Sequence, residues 1–214
     1  MGMTENRAVR IIRDAGALRV NGHFVYTSDL HGDTYVDKSR LTLHPDIVHT
    51  LAWPMADPFM KDDAVDVVVA PVIGAIPFGM YAAEHLTNER APRKTKFVYA
   101  EKAPDGTFIF RRGYDKDVAG QRVLIVEDII TTGGTSKKIV DLVRKTGGTV
   151  VGVSALWNRG GIMSSTLGVP RLISLVNHVF PQWTPEECPL CAQGIMVNTD
   201  VAHGAKFVAS GEAT

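Results

Sequence analysis

The sequence predicts an α/β protein in which helices flank a central parallel sheet, with a small N-terminal unit before it and a hairpin projecting from it. Three observations predict this. Apolar runs of strand length recur between Val65 and Val176 and alternate with helix-patterned stretches, and strands separated by helices run parallel because each crossover returns the chain to the same end of the sheet. One of these strands, Val123 to Val126, leads into two acids, a Thr/Gly loop and a helix, the order expected where ligand loops gather at strand carboxyl ends. Finally, 214 residues that are 45% hydrophobic and 21% charged suit one domain with a sizeable core.

The elements follow in order. Arg7 to Ala17 fits an amphipathic helix with Val9, Ile12 and Ala15 or Gly16 toward one side. His23 to Thr27 and Thr34 to Lys38 read as short strands around a turn at Asp29 to Asp33, which closes an N-terminal unit over residues 1–45. Asp46 to Met60 begins as a helix that Pro54 and Pro58 disturb. The core, residues 46–178, continues with a strand at Val65 to Val69, a loop at Pro71 to Pro77, a helix at Phe78 to Leu86 and a strand at Lys96 to Tyr99. Next come the strand Val123 to Val126, a helix from Lys137 to Lys145 stopped by Gly147-Gly148, and strands at Thr149 to Leu156 and Leu172 to Val176. Ala100 to Gly120 breaks this rhythm. Phe108-Ile109-Phe110, between Asp105-Gly106 and Arg111-Arg112-Gly113, reads as a hairpin with a basic edge that projects as a lid. Residues 179–214 form an appendage on the same domain.

Composition excludes several function classes. Lys+Arg and Asp+Glu number 23 each, so no global basic field draws nucleic acid. The most apolar region, Ala64 to Ala83, has about the length of a membrane span, but Asp66, Pro71, Gly74, Pro77 and Gly79 interrupt it. Met1 to Arg7 has no apolar signal core, and Asn6 stands where a myristoylation motif wants Ser or Thr, so cytoplasmic residence is expected. The two cysteines, Cys188 and Cys191, are spaced Cys-Pro-Leu-Cys. A closed zinc site needs four ligands and no second pair exists, so they read as structural thiols; His178 or His203 are the residues considered for completing a metal site.

The chemistry concentrates in Val123-Leu-Ile-Val-Glu-Asp-Ile-Ile-Thr-Thr-Gly-Gly-Thr-Ser136. Glu127 and Asp128 can accept hydrogen bonds from vicinal hydroxyls, while the loop amides, the threonine hydroxyls and a helix N-terminus can hold a phosphate dianion. Glycine lets backbone N–H groups approach a ligand. No Gly-Lys-Ser/Thr follows, so this is not a Walker loop. Pro71-Val-Ile-Gly-Ala-Ile-Pro77, directly after another strand, offers a second set of amides for phosphate oxygens.

This segment resembles the 5-phosphoribosyl-1-diphosphate (PRPP) signature of type I phosphoribosyltransferases. The resemblance covers most of the chain and is most like the orotate phosphoribosyltransferases of long bacterial form, whose tail Cys-Pro-Leu-Cys is similar. It implies the type I phosphoribosyltransferase fold with an N-terminal hood and a lid, and transfer of 5-phosphoribosyl from PRPP to orotate, giving orotidine 5′-monophosphate and pyrophosphate. Glu127, Asp128, Ile129, Ile130, Thr131, Thr132, Gly133, Gly134 and Thr135 would take the ribose and 5′-phosphate. Val72, Ile73, Gly74, Ala75, Lys102, Arg111 and Arg112 would take the pyrophosphate, although many orotate enzymes place a lysine where this loop has Gly74-Ala75. Tyr35, Lys38, Thr131 and Arg159 would take the base, Arg159 pairing with the orotate carboxylate through its planar fork. Asp128 and Lys102 are the catalytic candidates. Magnesium would be held mainly by PRPP and water, and the assembly would be a homodimer whose lid closes over the neighbouring subunit's site. A phosphoribosyltransferase for a purine or uracil, or a PRPP-sensing regulator on the same fold, are the alternatives.

Overall fold

The computed structural model describes residues 3–26, 28–60, 65–89, 92 and 94–210. Helix α1 (Glu5–Asp14) starts two residues before the apolar periodicity does, because Thr4 caps it by accepting a hydrogen bond from the Arg7 amide at 3.3 Å. Four short strands follow: β1 (Leu18–Arg19), β2 (Phe24–Val25), β3 (His31–Gly32) and β4 (Tyr35–Val36). β1 pairs with β4 and β2 with β3, both antiparallel. The expected turn at Asp29 to Asp33 therefore contains a strand of its own. The Tyr26 amide bonds the Leu30 carbonyl at 2.8 Å and Asp29 takes a φ of 60°, so the chain reverses early and His31–Gly32 folds back on β2. Thr27, at the end of the expected strand, lies outside the described residues.

Helices α2 (Lys38–Thr42) and α3 (Pro45–Ala56) lead into a single 3-10 turn over Asp57–Phe59. Pro54 sits inside α3 and does not end it. An interior proline costs roughly 3 kcal/mol, but α3 buries Val48, Leu51 and Met55, and full burial contributes about 1.5–3 kcal/mol for each such side chain. Packing overrides the local penalty. Pro58 falls in the 3-10 turn instead.

The core then runs β5 (Val67–Pro71), α4 (Ile76–Glu89), β6 (Lys96–Lys102), β7 (Phe108–Ile109), α5 (Tyr114–Val118), β8 (Arg122–Ile130), α6 (Gly134–Lys145), β9 (Thr149–Asn158), α7 (Ser164–Leu167) and β10 (Leu172–Val176). The strand order is β10-β9-β8-β5-β6-β7, parallel throughout except for β7, which pairs antiparallel with β6 as a hairpin. Side chains alternate across the sheet: Val68, Leu124 and Val126 pack with α1, α3 and α4 on one face, while Val67, Val69, Val123 and Ile125 pack with α6 on the other. Helices α8 (Pro189–Ala192) and α9 (Gly204–Ala209) belong to the appendage. Among the described residues no helix is long and apolar enough to cross a membrane.

Two departures from the sequence expectation shape the site. β8 does not stop at Val126 but runs through both acids to Ile130, because β9 stays paired with it as far as Ile130↔Asn158. Its other neighbour, β5, pairs with it only as far as Val69↔Ile125. Beyond that point the two strands leave a crevice. The chain leaves β5 toward β6 on one side and β8 toward β9 on the other, so the crevice lies at the topological switch point where open α/β sheets bind ligands.

Candidate active site

The crevice holds a cavity of about 400 Å³ whose floor is the end of β8. Glu127 and Asp128 are both buried there, at 4% exposure each. Burial first, and the neighbouring Asp128 charge second, push the Glu127 carboxyl well above the usual carboxylate range. Its Oε2 accepts a hydrogen bond from the Ser136 hydroxyl at 3.3 Å, and Asp128 Oδ1 accepts one from the Ile129 amide at 2.6 Å. Lys38, at the start of α2, sets its ammonium 2.6 Å from Asp128 Oδ2. Burial works against the Lys38 charge, but the Asp128 and Glu127 carboxylates outweigh it and hold its pKa above the ordinary lysine value.

The loop after β5 packs directly on this pair. A Cβ at Gly74 would collide with the Asp128 carboxylate and come within 2.9 Å of the Lys38 side chain. A side chain there would have to displace the Asp128 carboxylate and Lys38, which favours glycine while that ion pair is in place; the positive charge beside the loop comes from the hood as Lys38. The Val72–Ile73 peptide is cis. Val72, Gly74 and Ala75 line the cavity, whereas the Ile73 side chain is 81% exposed and does not.

Past β8 the chain turns through Thr131, Thr132 and Gly133 into α6, enclosing a second hollow of about 330 Å³ lined by Ile129 to Ser136 together with Ser28 and Arg159. Gly133 takes a φ of 78° to bring the chain onto the helix axis. α6 starts at Gly134, three residues before its apolar pattern suggests, so its first turn, whose Gly134 amide lies 3.4 Å from Thr132 Oγ1, lines this hollow. The end of β9 seals the other side. The Arg159 and Gly160 amides both donate to the Ile130 carbonyl, at 2.8 and 3.2 Å, and a Cβ at Gly160 would collide with the Thr131 carbonyl. Asn158 ties down the turn that follows, donating to the Ile162 carbonyl at 2.8 Å while accepting from the Ile162 amide at 3.0 Å. The side-chain amide makes both bonds because it carries a donor and an acceptor.

Arg159 is 7% exposed and projects between the two hollows, its guanidinium 4.1 Å from the centre of the Tyr26 ring. Its Nε has no hydrogen-bond partner. Burial lowers its pKa, and Tyr26 and Tyr35 oppose that only in part. Tyr26 was not singled out in the sequence. The hood supplies two aromatic walls, Tyr26 and Tyr35, and period-2 alternation does not reveal the first because it stands just past a strand of only two residues. Ala202, from the appendage, also lines the cavity and carried no sequence signal.

The lid cations divide. Lys102, the last residue of β6, lines the cavity of its own chain together with Phe108. Arg111 and Arg112 do not reach it and lie 3.4 and 4.0 Å from the Glu101 carboxylate. Lys138 of α6 donates to the Gly106 carbonyl at 2.9 Å, tying the hairpin tip to the helix behind the cradle.

The phosphoribosyl transferase domain family matches residues 40–163. The orotate phosphoribosyltransferase of Caldicellulosiruptor bescii is 33% identical over 195 residues, which is 91% of this chain and 96% of that protein. That of Pelotomaculum thermopropionicum is 35% identical over 193 residues, covering 90% and 95%. Among solved structures, Mycobacterium tuberculosis orotate phosphoribosyltransferase in complex with Fe(III) dicitrate aligns with a TM-score of 0.62 at 27% identity, over 80% of this chain and 94% of that one.

Proposed function

The chain belongs to the phosphoribosyl transferase family, and from that membership we infer that it is an orotate phosphoribosyltransferase, moving the 5-phosphoribosyl group of PRPP to orotate with release of pyrophosphate. The observation that carries the choice of base is Arg159. A buried guanidinium with an unpartnered Nε is a cation waiting for an anion, and its planar fork matches a carboxylate on a flat ring. Orotate has that carboxylate; uracil and the purine bases do not.

In this reading the turn from Thr131 to Thr135 and the N-terminus of α6 hold the 5′-phosphate. Glu127 and Asp128 accept hydrogen bonds from the ribose hydroxyls. The C1–O bond to pyrophosphate breaks as the C1–N bond to the base forms, and positive charge gathers on the ribose ring between them. The two carboxylates below the ring stabilise that charge, in a pocket where water no longer screens it. The Val72 to Ala75 backbone and Lys102 receive the departing pyrophosphate. Tyr35, Lys38 and Thr131 border the base, and Tyr26 stacks behind Arg159 to fix the plane of its fork.

The family's use of PRPP implies Mg2+, held mainly by PRPP and water, and the cavity fits it: Glu127 and Asp128 offer hard oxygens nearby, and Lys38 beside Asp128 shows that a cation is favoured there. Bound on PRPP oxygens beside these carboxylates, Mg2+ would supply charge neutralisation for the diphosphate. Arg111 and Arg112, which lie off this chain's own cavity, are assigned to the neighbouring subunit's site in a homodimer.

The test is pyrophosphate release from PRPP and Mg2+ with a panel of bases. Orotate should be the base consumed, and Arg159→Lys should lower kcat/KM for orotate by roughly tenfold to a hundredfold, the worth of about 1.5–3 kcal/mol in a charge-assisted hydrogen bond. Turnover of a purine in place of orotate by the wild type would overturn the assignment. Binding of PRPP without turnover of any base would favour a PRPP sensor.

A further inference from the structure

Outside the cavity, four metal-ligating side chains converge where the hood meets the appendage. His23 and His31 come from the β2–β3 hairpin and Cys188 and Cys191 from the start of α8, with His23 and Cys188 lying 165 residues apart in the chain. His31 pairs with Val25, and His23 stands two residues before Val25, which places both imidazoles on one face of the hairpin. His23 is 2% exposed, His31 0% and Cys188 2%, so the cluster is sealed from water on most sides. Both cysteines are free thiols.

The spacing is that of a coordination shell. All four ligand atoms lie within 4.8 Å of one another. A tetrahedral zinc site with Zn–N of about 2.0–2.1 Å and Zn–S of about 2.3 Å has N···S edges of roughly 3.5 Å and N···N edges of roughly 3.3 Å. Here His23 Nε2 lies 3.6 Å from each sulfur, and His31 Nδ1 lies 3.3 Å from the Cys191 sulfur and 2.9 Å from His23 Nε2. The orientation is set from outside the cluster. His23 Nδ1 lies 2.7 Å from the Ile195 carbonyl, which can only accept, so the proton sits on Nδ1 and the Nε2 lone pair faces inward.

We propose that His23, His31, Cys188 and Cys191 form a closed structural Zn2+ site that fastens the C-terminal appendage to the hood. Two thiolates cancel the dication, so the buried unit is neutral, and an N2S2 tetrahedron is a donor set that favours zinc. All four positions are filled by protein, which leaves none for a substrate or water. Neighbouring backbone bonds run across the same seam: His31 and Trp183 exchange amide-to-carbonyl bonds at 2.8 and 3.0 Å, and the Asn198 amide donates to the His23 carbonyl at 2.7 Å. The seam supports the active site directly, because Tyr26 follows β2 and Ala202 of the appendage borders the same cavity. His178 and His203, the residues the sequence offered for such a site, are not members of the cluster.

The full-length protein, purified under reducing conditions, should carry about one zinc per chain by elemental mass spectrometry. Exchange into Co2+ should produce the visible bands of a tetrahedral ion and thiolate-to-cobalt charge transfer in the ultraviolet. A thiol reagent should label Cys188 and Cys191 slowly until a strong chelator is added. Cys191→Ser should lose the metal, while His31→Cys, which keeps four ligands, should retain it. The proposal is overturned if Zn2+-reconstituted wild type holds no metal above buffer, or if its thiols react equally fast with and without Zn2+. Those two measurements need no variant, so misfolding of Cys191→Ser leaves the idea open to refutation.

Discussion

The floor and the wall of the cavity are built in opposite ways. The floor is one continuous stretch, with β8 delivering Glu127 and Asp128 and the next residues turning into the N-terminus of α6. β8 lies inside the sheet with core packed on both faces, so its register is fixed by everything around it. The wall consists of Tyr26 directly after β2, Tyr35 on β4 and Lys38 on α2, all elements of two to five residues; Trp183, Asn198 and His203 of the appendage hold the β2–β3 hairpin from behind, while β4 pairs with β1. Strands that short are not stable alone. In the proposed function, the carboxylates that meet charge on the ribose sit on β8 and Arg159 follows its neighbour β9, both inside the rigid sheet, whereas the hood residues that border the base sit on short elements.

The largest expected effect tests the floor. Asp128→Asn removes a charged acceptor facing the ribose and releases Lys38 from its 2.6 Å partner. A hydrogen bond to a charged group is worth about 1.5–3 kcal/mol, or roughly tenfold to a hundredfold. We expect kcat/KM for PRPP to fall by at least that factor in a protein whose circular dichroism shows the fold intact. Near-normal turnover would mean that the floor is not where charge on the ribose is met.

A smaller effect is expected at the lid. Lys102 borders its own chain's cavity in the isolated subunit, whereas Arg111 and Arg112 do not. Lys102→Ala should lower kcat about tenfold while changing PRPP affinity less, since its charge matters most as pyrophosphate departs. Mixing it with Asp128→Asn then asks whose site the lid serves. Recovery of activity after subunit exchange places an intact lid over the neighbour's intact floor; no recovery after verified exchange assigns Lys102 to its own cavity.

The same contrast explains what could be read from sequence. The floor is legible because its polar groups are adjacent in the chain: two acids, three threonines and two glycines between an apolar run and a helix pattern admit few other readings. Even there, the strand end was placed four residues short, since pairing with β9, a tertiary contact, carries β8 past the acids. In the hood, Tyr35 and Lys38 came from family resemblance, and Tyr26 was missed. The Cys-Pro-Leu-Cys pair was visible, but its geometric partners His23 and His31 lie at the other end of the sequence and become neighbours only when the hairpin folds. No local pattern encodes that meeting. Gly74 shows the reverse case: where many orotate enzymes place a lysine, this loop packs on an ion pair whose positive member, Lys38, comes from the hood.

The smallest effect concerns the stability of the floor itself. Burial, and then the Asp128 charge, raise the Glu127 pKa in the folded protein well above its unfolded value, with Lys38 offsetting only part of this. Over the window between the two values the folded chain keeps a proton that the unfolded chain has released. Such a group contributes stability that is fully present below the unfolded pKa of about 4.3 and is lost as pH rises through the folded value. Glu127→Gln keeps the shape and an acceptor for the Ser136 hydroxyl but cannot ionise. Without ligands, the variant should therefore be the more stable protein at neutral and alkaline pH, and the two unfolding curves should converge as pH falls toward 4. PRPP should narrow the gap, because ribose hydroxyls donating to the carboxylate favour its charged form. Denaturant midpoints measured across this pH range, with and without PRPP, decide the matter. Curves that stay parallel at every pH would show that Glu127 carries its charge in the empty floor without cost.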